Sequence, residues 1–408
     1  MKRSLILFGR TTRIDLTLKT SKPLKPLKPL KCKRSKATTG LCQLRCMSNK
    51  LSGGGTMEGG GEGQRSSESI SFTQATEEEG GYLTWDDPVT CLSEARKLVP
   101  PLSSDRYKGQ AGKVGVVGGC SEYTGAPYYA AIAALRCGAD LAHIFCAKGA
   151  APVIKSYSPE LIVHPYLFET DDLEGRPTED LSASAVEKVS EWLPKLSCVV
   201  FGPGLGRDPL IMSTAEKLMH KACDLNIPMV IDADGLWIWN QATFDVGPFT
   251  KKNKTVVVTP NAIELKRLMS RYGTRDLSYN LSGNVVVVEK GKEDHIHEGH
   301  TDKLEGLKLV ARNEGSPRRC GGQGDILSGC IATFLSWGSK GDYPSSWPDD
   351  DFPLRRKATS WKAVAAYAGC HLTREASRRA FAKRGRAMLC TDLVDEIGPS
   401  FSELFAAD

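Results

Sequence analysis

Between Gly315 and Gly329 the chain reads Gly-Ser-Pro-Arg-Arg-Cys-Gly-Gly-Gln-Gly-Asp-Ile-Leu-Ser-Gly. Glycines at 321, 322 and 324 let backbone N–H groups turn toward an anion. They do so where an apolar run (Ile326, Leu327, Cys330, Ile331, Phe334, Leu335) begins a helix. That pattern describes a phosphate cradle. Arg318 and Arg319 set fixed positive charge in front of it, and Asp325 falls at the helix N-terminus, where the macrodipole would hold its carboxylate ionised and available as a base. A glycine loop, two arginines and one acid are the parts of a phosphoryl-transfer site; the plainer alternative is a glycine turn capped by Asp325.

Such a loop needs a scaffold. From about residue 85 short β-rich runs alternate with helical periodicity, which predicts an α/β fold with a central, mostly parallel sheet covered by helices on both faces. Strands are expected at 114–117, 141–146, 161–165, 198–201, 229–231, 255–258 and 285–288, several of them continuous apolar runs suited to burial on both faces. Helices are expected at 125–138, 182–194, 210–225, 261–272, 325–337, 358–383 and 391–405, with a surface insertion at 340–357. The chain divides into a basic extension (1–50), a Gly/Ser/Glu linker (51–84) and a single catalytic domain (85–408).

Ligands of open parallel sheets sit beyond the carboxyl ends of strands, so the residues just after each strand carry the interest. Gly118-Gly119-Cys120-Ser121 and Gly202-Pro203-Gly204-Leu205-Gly206-Arg207-Asp208 are loops a ligand could approach closely. Asp232 and Asp234 could hold Mg²⁺ through water beside a triphosphate, or one of them could cap the helix near Leu236. Asn261 and Glu264 read as a reciprocal helix cap, and with Lys266 and Arg267 they also supply polar groups at a crevice mouth. Lys290, between a strand and its expected hairpin partner at 294–298, could reach phosphate or ribose, or be an exposed hairpin lysine. His295 and His297 are explained by alternation on a solvated strand better than by a metal.

Bulk properties narrow the class. Residues 1–50 hold fourteen Lys or Arg and one acid, a local +13 against +6 overall, so the remainder carries −7. Basic charge crowded into a tail argues against a nucleic-acid partner. The tail's composition fits a plastid or mitochondrial transit peptide, and a start at Met47 or Met57 would give a shorter cytoplasmic form. No stretch approaches the ~20 apolar residues a spanning helix needs, so no membrane is expected. Thirteen cysteines, none spaced C-x-x-C, read as buried thiols and not as a disulfide framework or zinc site.

Five motifs, at 116–127, 202–208, 231–236, 259–265 and 315–325, together closely resemble the eukaryotic ATP-dependent NAD(P)H-hydrate dehydratases of the ribokinase-like superfamily. The resemblance runs from about residue 95 to the C-terminus. It implies a repair enzyme that uses ATP and Mg²⁺ to dehydrate the (6S) hydrate of NADH or NADPH, a small-molecule substrate, with room left for a homo-oligomer. It also implies ATP-binding residues Lys290, Gly291, Lys292, Glu293, Asp294, Gly315, Ser316, Pro317, Arg318, Arg319, Cys320, Gly321, Gly322, Gln323 and Gly324. Implied substrate-binding residues are Gly204 or Gly206, Asn261, Ala262, Ile263, Glu264, Leu265, Lys266, Arg267 and Asp325, with Asp325 catalytic; the Mg²⁺ ligands stay open. The rivals are a vitamin-precursor kinase of the same fold and a catalytically silent nucleotide-sensing module.

Overall fold

A run of valines has no polar face, so it must be covered on both sides. That is how the computed structural model places them. It describes residues 76–78, 82–85, 88–251, 253–273, 285–299, 306–340 and 361–405, all within the compact unit Ile70–Asp408. The extension at 1–50 and the insertion expected at 340–357, save Lys340, lie outside the described residues.

The strands are β1 (Thr76–Glu78), β2 (Tyr82–Trp85), β3 (Lys113–Val117), β4 (Leu141–Ala147), β5 (Ile162–Leu167), β6 (Cys198–Phe201), β7 (Met229–Ile231), β8 (Val256–Val258), β9 (Val285–Glu289), β10 (Asp294–Glu298) and β11 (Gly306–Ala311). They form one sheet in the order β1-β2-β11-β10-β9-β8-β7-β6-β3-β4-β5. The stretch from β9 to β5 is parallel throughout. The other end is an antiparallel meander, β9-β10-β11, to which β2 adds in parallel. Two strands thus fall inside the stretch that composition assigns to a linker. β1, Thr-Glu-Glu, pairs with β2, and the pairing of β2 with β11 supplies the support the local sequence lacks.

The helices are α1 (Pro88–Arg96), α2 (Gly125–Cys137), α3 (Ala151–Tyr157), α4 (Thr178–Ser190), α5 (Pro209–Asp224), α6 (Asp234–Trp239), α7 (Ala262–Tyr272), α8 (Gln323–Gly338), α9 (Trp361–Arg384) and α10 (Cys390–Phe405). α8 matters most. It is buried from Ile326 to its end, as a helix apolar all round should be. Small residues let it lie against α2: a Cβ on Gly329 would meet the Ala130 carbonyl oxygen at 2.0 Å. Thr333 Oγ1 donates to Gly329 O (3.0 Å) and Trp337 Nε1 to Ala111 O (2.5 Å). The first turn of α8 is therefore fixed by the whole length behind it.

Beneath the sheet, His143 on β4 and His164 on β5 stack with ring nitrogens 3.0 Å apart, packed against Phe145 and Trp192. Burial first, then the charge of its histidine neighbour, pushes His143 down to about 4; burial and Lys155 do the same to His164. Both folded-state values lie below the unfolded 6.5. As pH falls from 6.5 to 4 the unfolded chain takes up protons that the folded chain cannot, so stability drops across that window. The two histidines alone should contribute a loss of about 5 kcal/mol over this range, read in thermal melts as the part of the Tm that falls with pH. A His143→Phe/His164→Phe chain should flatten the profile; an unchanged slope would place the acid sensitivity elsewhere.

Candidate active site

The chain leaves β3 toward β4 and β5, then returns at β6 and proceeds the other way, so the crevice lies over the carboxyl ends of β6 to β9. Three segments meet there: the turn after β7, the turn after β9 and the first turn of α8. Lys290 Nζ lies 2.7 Å from Asp232 Oδ1, with the two side chains 19% and 3% exposed. The pair abuts α8: a Cβ on Gly324 would lie 3.4 Å from Lys290 Nζ and 3.8 Å from Asp232 Oδ2. Lys290 is therefore not an exposed hairpin lysine. Burial would lower its pKa, but Asp232, Glu264 and Asp325 outweigh burial and hold it above the usual lysine range.

Ala233 has φ 47° and ψ −120°, a costly backbone for a residue with a Cβ. It separates the partners of the flanking acids. Asp232 takes Lys290, whereas Asp234 accepts from Gly206 N (3.0 Å) and lies 3.5 Å from Arg207 Nε. Neither acid caps the helix that follows.

Asp325 overturns one expectation. The dipole does not keep it ionised: burial first, then the charge of Asp232, with a smaller push from Asp234, raises its carboxyl to about 8 against the opposing pull of Lys290. A carboxyl titrating near neutral pH is a stronger base than a surface aspartate.

Two recesses flank this centre. The larger, about 1000 Å³, is lined by the whole turn Lys290–Asp294 and by Gly315, Ser316, Pro317, Arg319, Cys320, Gln323 and Gly324. Arg318, Gly321 and Gly322 do not line it. Gly322 instead shapes the loop, with φ 98° and no room for a side chain between Cys390 and Tyr129. Arg319 Nη2 donates to Gly291 O (3.1 Å), while Arg318 Nε is buried with no hydrogen-bond partner among the described residues. Open space where a Gly321 Cβ would be, that orphaned donor and the free N–H groups of a helix start all suit an anionic ligand.

Sequence reasoning missed the far wall. Arg374 of α9 pairs with Asp294 (3.2 Å) and donates to Asn313 O (2.7 Å) and Lys292 O, tying down the turn after β9; Thr373 and Ser377 join it in the lining. No motif surrounds Arg374, so only its place after an apolar helical run hinted at a buried charge.

The smaller recess, about 110 Å³, is lined by Arg207, Ala233, Asp234, Leu236, Trp237, Asn240, Glu264 and Arg267. The segment 261–267 thus splits: Asn261 lines the larger recess, Glu264 and Arg267 the smaller, and Ala262, Ile263, Leu265 and Lys266 neither. Leu265 packs on the core. The expected reciprocal cap is present, with Ile263 N and Glu264 N donating to Asn261 Oδ1 and Asn261 N to Glu264 Oε2. Gly204 and Gly206 make room for the chain itself, since a Cβ there would meet Tyr123 O at 2.7 Å or Cys120 Sγ at 2.9 Å.

Among known proteins, a family model described as NAD(P)H-hydrate dehydratase matches residues 114–399. The mouse ATP-dependent (S)-NAD(P)H-hydrate dehydratase is 44% identical over 322 residues, 76% of this chain and 84% of the mouse protein. The grapevine protein of that name is 41% identical over 323 residues, 76% of this chain and 87% of its own. A Bacillus subtilis ADP/ATP-dependent NAD(P)H-hydrate dehydratase co-crystallised with ATP/Mg²⁺ superposes with a TM-score of 0.54 at 16% identity, covering 77% of this chain and 97% of the bacterial one. A ribokinase-like protein from Enterococcus faecalis gives 0.56 at 18%, covering 79% and 97%. At such identities the two structures speak for the fold alone.

Proposed function

The chain belongs to the NAD(P)H-hydrate dehydratase family, and from that premise we propose that it dehydrates the (6S) hydrate of NADH and NADPH at the expense of ATP. The products are the reduced cofactor, ADP and phosphate. The observation that carries this reading is the placement of Asp325 beside the cradle: Gly324, its neighbour, lines the nucleotide-sized recess and abuts Asp232, a Cβ there lying 3.8 Å from Asp232 Oδ2, while Asp234, two residues beyond, lines the smaller one. A base between two recesses suits transfer from one ligand to another.

The hydrate carries a hydroxyl on C6. Asp325 takes its proton as the oxygen attacks the γ-phosphorus, and the bond to the bridging oxygen breaks to release ADP. The helix-start N–H groups, Lys290 and Arg319 face the charge that develops. The ring nitrogen's electron pair then expels phosphate from C6, and loss of a C5 proton restores the dihydronicotinamide ring. Asp232, Asp234, Glu264 and Asn261 offer the hard oxygens that Mg²⁺ prefers. Among the described residues no three His, Cys, Asp or Glu side chains are grouped to hold an ion by themselves. Phosphate oxygens and water would therefore complete its shell.

The test mixes the full chain with NADH hydrate, Mg²⁺ and ATP and follows dihydronicotinamide absorbance together with phosphate release. Equal rises, both dependent on ATP, support the reading. ATP consumption without recovered absorbance would replace it with a kinase that releases a phosphate ester.

The charges around Asp325 predict opposite shifts. Lys290→Met removes the cation that lowers its pKa, so the ascending limb of kcat/KM against pH should move up from about 8. Asp232→Asn removes the like charge and should move the limb down. Equal or absent shifts in the two variants would show that the limb belongs to another group. We read the basic residues 1–50 as an organellar address, which fluorescent fusions starting at Met1 and Met57 would check.

A further inference from the structure

The smaller recess has a feature that proton transfer does not use. Trp237 carries two guanidiniums over one indole: Arg207, from the loop after β6, with its Cζ 4.1 Å from the ring centroid, and Arg267, from α7, at 5.6 Å. Arg207 is 55% exposed at its side chain, and its nearest carboxylate, Asp234, sits 3.5 Å away while also accepting from Gly206 N. Among the described residues no carboxylate lies within ion-pairing distance of Arg267. Glu264, which shares the recess, has a pKa raised by burial first, with Lys290 and Arg267 opposing. Two like charges stacked on one ring repel each other, and the two carboxylates of the recess, Asp234 shared with Gly206 N and Glu264 engaged by Asn261 N, do not ion-pair with Arg267. An anion reaching the recess would.

Such an anion is at hand in the reading above, on which this inference rests. The hydrate has a reacting ring at one end, which must meet Asp325, and a diphosphate bridge beyond the first ribose. Asp325 follows Gly324, where a Cβ would lie 3.8 Å from Asp232 Oδ2, and Asp234, two residues beyond Asp232, walls the smaller recess, so a ring placed at Asp325 has this recess beside it on the side away from the ATP recess. We propose that Arg207 and Arg267, held by Trp237, clamp the diphosphate of the dinucleotide substrate. Paired planar guanidiniums suit phosphate oxygens by forked hydrogen bonds, which lysine cannot reproduce. Arg207 and Trp237 thereby become specificity residues, selecting hydrates that carry a phosphorylated tail.

The experiment compares NADH hydrate with the hydrate of reduced nicotinamide riboside, which has the same ring and no phosphate. The full chain should prefer the dinucleotide strongly in kcat/KM. In Arg207→Ala that preference should shrink by about 10- to 100-fold, with the loss in KM and not in kcat. Arg207→Lys, which keeps the charge but neither the fork nor the planar stack on Trp237, should fall between. An unchanged preference in Arg207→Ala, or no preference in the wild type, overturns the clamp. ATP-dependent recovery of NADH by the wild type is read in the same assay, so loss of the clamp and loss of the proposed function give different results.

Discussion

Asp325→Asn should leave a folded protein whose kcat for ATP-driven recovery of NADH is about 10³- to 10⁴-fold lower. The amide keeps the shape of the carboxyl and its place in the first turn of α8, and loses only the ability to accept a proton. The second half of this expectation separates chemistry from damage. The Asp325 carboxyl, ordinarily near 3.8, is raised to about 8 in the fold by burial and by Asp232. Between those values the unfolded chain releases a proton that the folded chain keeps, so the contribution of Asp325 to stability declines as pH rises from 3.8 to 8, opposite in sign to that of the buried histidines. The Asn variant has no proton to lose. Its Tm should match the wild type in acid and exceed it increasingly toward pH 8. A dead variant with lowered Tm would indicate misfolding, and turnover within tenfold of wild type would remove Asp325 from the mechanism.

Gly322→Val should cost more than 100-fold in kcat/KM for ATP and lower the Tm by about 5 °C. Two effects add. The residue has φ 98°, where an L side chain is strained by about 1–2 kcal/mol. Its Cβ would also fall 2.5 Å from Cys390 Sγ and 2.9 Å from Tyr129 Cδ2. The loop could relieve that overlap only by lifting off α10 and α2, carrying the helix-start N–H groups with it. Gly321→Ala should be much milder, because nothing lies within 4 Å of a Cβ at 321. If the two variants behave alike, the cradle tolerates movement and the geometry around Gly322 is not what binds phosphate.

How far the sequence could be read depended on how local each cause was. Strands with a continuous apolar run, such as Val285–Glu289, and the capping box of Asn261 and Glu264 declare themselves within a few residues. The glycine loop that opens α8 did too, since its residues are contiguous. Long-range causes were hidden. β2 exists because β11 offers it an edge, and α3 is too short for its periodicity to show. The helix expected at 182–194 begins earlier, at Thr178, just after Pro177, and stops at Ser190; Pro194 falls in a separate short turn. Above all, the state of Asp325 could not be read. The macrodipole is a property of its own helix, but the charges of Asp232 and Lys290 come from the turns after β7 and β9, brought in only by the fold. The same holds for the Lys290–Asp232 pair and for Arg374.

The thiols carry a last consequence. Thirteen cysteines would make an extended chain an easy target for oxidants and alkylating agents, which attack the thiolate. Among the described residues nine of ten cysteines are buried, and burial drives Cys146 up to about 12 and Cys198 and Cys390 higher still. An electrophile would find these sulfurs both covered and protonated. Cys320 is the partly exposed one, and it lines the nucleotide recess beside Arg319. Among the described residues it is the sulfur most within reach where the γ-phosphate would work; burial raises its thiol too, so an alkylating agent applied at alkaline pH and followed at Cys320 itself would report empty nucleotide sites.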